Sequence, residues 1–185
     1  MTTLSVAGVL AFAVPALADG STSAASVPSP QKQCRSERSG MGLKTFRQTY
    51  GTNAKRSNAF GKCVSKRAKA TEAAQQEAHT NAAKQCAEAR STDPAAFRAE
   101  WGTNHNGANA YGKCVSATAR AMAAAKVKSE VKADVNAAES CHAARKADAD
   151  AFAEKYGSKR NAFGKCVSQT AKALQDESSD SGQDS

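Results

Sequence analysis

The chain has 185 residues, of which 41 are alanine and none isoleucine, and it carries a formal net charge of +9. More than half of its 41% hydrophobic share is alanine, and residues 19–185 hold only 14 Leu, Val and Phe together. Those figures exclude one large conventional core and, since no apolar run after residue 18 approaches about 20 residues, a polytopic membrane protein. The expected class is all-α, with six cysteines supplying the cohesion that apolar side chains cannot.

Residues 1–18 read as a secretory signal peptide. Leu4 to Val14 is apolar, Pro15 follows, and Ala16-Leu17-Ala18 forms a small-x-small cleavage site before Asp19. Met1-Thr2-Thr3 lacks the Lys or Arg that usually precedes such a stretch. Export also explains the cysteines, because disulfides persist outside the reducing cytosol. Residues 19–33 read as a flexible Ser/Ala/Pro linker.

Three repeats organise the remainder. Asn58-Ala59-Phe60-Gly61-Lys62-Cys63-Val64-Ser65 returns with one change at residues 109–116, where Tyr111 replaces the Phe, and unchanged at 161–168. Upstream, Cys34, Cys86 and Cys141 are each followed four residues later by Arg38, Arg90 or Arg145. Then come Phe46, Phe97 or Phe152, an aromatic four further on (Tyr50, Trp101, Tyr156), and Gly51, Gly102 or Gly157. A fixed period of this kind marks a repeat architecture. The boundaries read as repeat 1 at 34–85, repeat 2 at 86–140, repeat 3 at 141–175, and an acidic disordered tail at 176–185. These motifs resemble the NAFGKCVS-type repeats of small secreted actinobacterial proteins. The resemblance implies export and a repeated structure and carries no activity with it.

Between Lys62 and Asp93, and again between Lys113 and Tyr156, there is no Gly or Pro, and alanine and long charged residues dominate. Both stretches should be long helices. Val127, Val131 and Val135 give the second a narrow apolar stripe. Asn58, Asn109 and Asn161 read as N-caps, and Gly51 as a left-handed C′ glycine closing the Phe46–Tyr50 turn. Helix geometry then decides the disulfides. Cys63 and Cys86 are separated by 23 residues of expected helix, roughly 35 Å at the α-helical rise, whereas a disulfide needs Cα atoms within about 7 Å. The expected pairs are Cys34–Cys63, Cys86–Cys114 and Cys141–Cys166. Each pairing requires the chain to fold back between cysteine and phenylalanine, at Ser39-Gly40-Met41-Gly42, at Ser91-Thr92-Asp93-Pro94, and at Asp148 or Asp150. The fold is thus three disulfide-stapled helical repeats joined by long alanine-rich helices.

All nine aromatics of residues 19–185 fall at three equivalent positions in the three repeats. That recurrence assigns them, with the cystine, to a small core at each corner. Arg38, Arg90 and Arg145 are expected at helix ends, bonding terminal carbonyls. Gly61, Gly112 and Gly164 sit early in a helix, where glycine costs about 1 kcal/mol against alanine, and a close backbone approach would account for them. The Gly-Lys pairs are not nucleotide loops, since no strand precedes them and Cys follows the Lys. The histidines occupy non-equivalent positions and there is no Cys-x-x-Cys. No metal site, cofactor or catalytic set is therefore assigned.

Charge is uneven. Residues 34–85 hold 11 Lys and Arg against 3 acids, whereas residues 141–185 hold 7 of each. Lys55, Arg56, Lys62, Lys66, Arg67 and Lys69 read as an anion-binding patch on repeat 1. The expected function is a non-catalytic binding or structural module, secreted or at the cell surface, that contacts anionic wall polymers or lipid headgroups. The alternatives are a secreted nucleic-acid binder, disfavoured by the lack of exposed aromatics, and a thiol-redox enzyme, which would need a free cysteine.

Overall fold

The computed structural model describes residues 26–180. Among them the chain forms α1 (Pro30–Met41), α2 (Leu43–Tyr50), α3 (Ala59–Thr92), α4 (Pro94–Trp101), α5 (Ala110–Ala147), α6 (Ala149–Tyr156) and α7 (Ala162–Asp180), with no strand. The expected signal peptide lies outside the described residues. The linker ends sooner than read from sequence. Pro30 opens α1 behind the cap Ser29, whose hydroxyl accepts from the Lys32 amide, and Gln33 is buried. Residues 181–185 of the expected tail lie outside the described residues. Leu174 packs on the core and α7 continues through residues 176–180, so that part of the expected disordered tail is helical.

Disulfides join Cys34 to Cys63, Cys86 to Cys114 and Cys141 to Cys166, each with Cα atoms 6.0 Å apart. The three fold-back points are single residues. Gly42 takes φ +77° between α1 and α2, a conformation that suits glycine. Asp93 and Asp148 serve the other two, each accepting on its carboxylate the amides of the second and third residues of α4 or α6.

The two long helices, α3 and α5, pack antiparallel. Lys66 meets Asp134, Glu77 meets Lys126, and the Cys86 sulfur lies 3.9 Å from the Thr118 hydroxyl. Their seam is alanine: Ala74, Ala78 and Ala82 face Ala123 and Val127, all buried. Small side chains let the two backbones approach closely, so burial comes from contact rather than from bulky residues. Helix α7 returns along the C-terminal half of α5, and α1 lies across both long helices, where a Cβ on Gly40 would sit 3.1 Å from Val135.

This packing corrects the expectation of one core per corner. Repeats 1 and 3 lie at the same end of the α3–α5 pair and share one core that holds Phe46, Tyr50, Phe152, Phe163 and the cystines Cys34–Cys63 and Cys141–Cys166. Repeat 2 forms a separate core at the other end, from Phe97, Cys86, Cys114 and Val115.

Three local readings also change. Asn58 makes no side-chain cap bond. Its Oδ1 accepts from the Thr52 and Asn53 amides and its Nδ2 donates to the Thr52 hydroxyl, which ties down the preceding loop. Asn109 does the same with Thr103 and Asn104. Gly51 and Gly102 are extended rather than left-handed; they are glycine because a Cβ would lie 2.5 Å from the Arg47 or Arg98 carbonyl oxygen. Arg38, Arg90 and Arg145 do occupy last turns, but each lies over the aromatic of the following motif, 5.8 Å from Phe60, 4.8 Å from Tyr111 and 5.0 Å from Phe163. The contact is cation–π.

Candidate anion-binding surface

The six cations expected on repeat 1 do not form one patch. Arg67 is 1% exposed and sits between helices. Its guanidinium donates to Glu37 of α1 and, at 2.6 Å, to Asp134 of α5, and Glu130 lies 3.3 Å away. A buried guanidinium with three carboxylate partners has no capacity for an external ligand. Arg67 is therefore a core residue, and its assignment to the surface patch is withdrawn. Lys66 is half committed to the same cluster, with Nζ 2.9 Å from Asp134 and 5.6 Å from the Tyr50 ring. Lys62 and Lys69 are exposed on α3.

Within the buried cluster the Tyr50 hydroxyl is within hydrogen-bond reach of both Glu37 and Asp134. Burial pushes the Glu37 carboxyl above its ordinary value against the opposing pull of Arg67. Glu130 is raised as well, again chiefly by burial. Tyr50 is driven upward by burial and by the Asp134 and Glu37 charges.

The remaining two, Lys55 and Arg56, belong to a different surface. The α2–α3 loop brings them beside Leu43, Lys44, Arg47 and Gln48, around a cleft of about 430 Å³. Arg56 adopts φ +53°, and its Nη2 donates to the Arg160 carbonyl at 3.0 Å. That bond joins the repeat 1 loop to the repeat 3 loop. A second cleft of about 360 Å³ opens there, lined by Arg56, Arg145, Lys159 and Arg160 together with Phe152, Phe163 and the first residues of α7. Neither cleft has an acidic residue in its lining. The Arg56 Nη1 is out of water and has no hydrogen-bond partner, so part of its donor capacity is unused.

Two basic loops, Lys55-Arg56 and Lys159-Arg160, thus meet at one end of the molecule, flanked by Lys44, Arg47 and Arg145. Sequence reading singled out Lys55 and Arg56 but assigned the patch to repeat 1 alone. Lys44 and Arg47 were missed because nothing local distinguishes them from solvated helix charges, and Arg145 was read only as a helix-end cation. Leu43, 52% exposed, is the exposed large apolar side chain of the described residues and stands at the rim of the first cleft. All six cysteines are in disulfides, so the described chain offers no free thiol. No described helix is long and apolar enough to cross a membrane. No family model matches the chain, and no curated protein or solved structure is significantly similar to it.

Proposed function

We propose that the protein is an exported, non-catalytic helical module that binds anionic polymers of the cell envelope through the basic end where repeats 1 and 3 meet. The observation that carries this reading is the Arg56–Arg160 contact, which gathers two basic loops around adjoining clefts free of acids. Arginine and lysine in such a setting suit phosphate or carboxylate oxygens. Export is supported by the leader-like residues 1–18 and is compatible with three disulfides. A second reading, contact with anionic lipid headgroups, is favoured by Leu43 exposed among Lys44 and Arg47. Nucleic-acid binding gains less support, because the rings a base would stack on are wholly or partly buried.

The test is co-sedimentation of the oxidised chain with isolated wall polymer, and separately with anionic phospholipid vesicles, at low and high salt. Arg47→Gln, Lys55→Gln, Lys159→Gln and Arg160→Gln combined should abolish most salt-sensitive binding. Lys62→Gln with Lys69→Gln should change it little. Leu43→Ser separates the two readings, since it should weaken vesicle binding alone. Binding that survives the fourfold change would reject this surface.

A further inference from the structure

Three equivalent glycines have unequal surroundings. A Cβ on Gly164 would lie 2.7 Å from the Thr49 carbonyl oxygen at the end of α2, whereas Gly61 and Gly112 have nothing within 4 Å. Gly164 is thus a docking point: the C-terminal carbonyls of α2 abut the first turn of α7, negative helix end against positive. The contact has side-chain partners. Arg145, lying over Phe163, donates to the Gln48 side chain at 3.2 Å. Under this cover Phe163 is 2% and Val167 0% exposed.

The same apparatus stands uncovered on repeat 1. Gly61 is exposed, Phe60 and Val64 are only half-buried, and Arg38 lies over Phe60 as Arg145 lies over Phe163. A glycine in a helix costs about 1 kcal/mol against alanine, and no contact among the described residues requires one here. The natural occupant is a short helix equivalent to α2. Of the two others, α6 places Glu154 at the position of Gln48, where α4 places Ala99. A carboxylate there would meet the Arg38 guanidinium in a charge-assisted version of the Gln48–Arg145 bond.

We propose that the Gly61 face of repeat 1 receives the C-terminal end of α6 from a second copy of the chain, reproducing between molecules the α2–α7 contact, with Glu154 against Arg38. The two surfaces differ, so the contact is heterologous and builds closed rings or open chains rather than an isologous pair. One short helix end buries little area, so association is weak and concentration-dependent.

Sedimentation velocity on the oxidised chain over a wide concentration range tests this. The expected result is reversible association that Gly61→Leu and Glu154→Arg each weaken by at least about tenfold, equivalent to about 1.4 kcal/mol. Arg38→Glu with Glu154→Arg should recover much of the loss. Gly61 faces open space, so its variant should keep the wild-type helical spectrum and melt no lower than the wild type. A monomer at every concentration, or association indifferent to both single changes, would overturn the proposal.

Discussion

Glu37 and Arg67 form an ion pair at positions that hold alanine and threonine in the other two repeats. Counting from the cysteines, the equivalents are Ala89 and Thr118 in repeat 2, and Ala144 and Thr170 in repeat 3. In those repeats the threonine hydroxyl rests within 4.0 Å of both cystine sulfurs. In repeat 1 the pair instead reaches Asp134 and ties α1, α3 and α5 together. The substitution is thus a joint one, and it marks the place where repeat 1 meets the middle of the chain rather than only its own corner.

Breaking the pair should be costly. Arg67→Thr leaves Glu37 buried without its cation and Asp134 with Lys66 alone, and should destabilise the protein by about 3–5 kcal/mol in urea unfolding. Glu37→Ala combined with Arg67→Thr recreates the composition of the other repeats and should cost less than the single Arg67 change. A double variant worse than the single would show that Glu37 does not depend on Arg67.

The same cluster sets a pH dependence with an uncommon sign. Burial raises the Glu37 and Glu130 carboxyls above 4.5. A carboxyl raised in the folded state favours the protonated fold, so its contribution is full below about 4.5 and is lost as pH rises through the folded value. Melting temperature should therefore fall across that window on the way to neutral pH, over and above any global charge effect. Glu37→Gln mimics the protonated side chain and should flatten the slope. An unchanged slope would mean that Glu37 is ionised in the fold.

The three motif glycines should respond to alanine in opposite directions. Gly61→Ala and Gly112→Ala add a Cβ to open space and a better helix former, so each should stabilise by up to about 1 kcal/mol. Gly164→Ala drives a Cβ to 2.7 Å from the Thr49 backbone oxygen. It should destabilise and partly separate α2 from α7. Thermal melts of the three single variants distinguish these outcomes directly.

What was legible in the sequence obeyed local rules. The long helices followed from alanine and the lack of Gly and Pro, and the disulfide pairs followed from helix rise, because both depend on residues close in the chain. Arg67 was misread because a lone basic residue in a charged helix is ordinarily solvated; its buried state depends on Glu37 and Asp134, 30 and 67 positions away. The joint departure of Glu37 and Arg67 from the repeat pattern was the available signal. The union of repeats 1 and 3 was not legible. The Gly-Lys-Cys motif that receives α2 is identical in repeats that receive no helix of their own chain, so position in the assembled helices, not residue type, selects Gly164. The basic surface depends on that union and was found only in part for the same reason.

The separation of the two cores predicts unequal roles for the disulfides. Each closes a loop with a sequence separation of 25 to 29 residues, worth roughly 3–4 kcal/mol by chain entropy. Cys34–Cys63 lies in the core shared by repeats 1 and 3 and beside the Glu37–Arg67 pair, so Cys34→Ser with Cys63→Ser should lower global stability. Cys86–Cys114 lies in the small repeat 2 core, about 35 Å along α3 from Cys63 at the helical rise. Cys86→Ser with Cys114→Ser should open that end alone. Hydrogen exchange would then quicken first in α4 and the adjoining ends of α3 and α5, while amides around Phe46 and Phe163 keep their protection. Uniform loss of protection in both double variants would mean that the alanine seam of α3 and α5 couples the two ends into one cooperative unit.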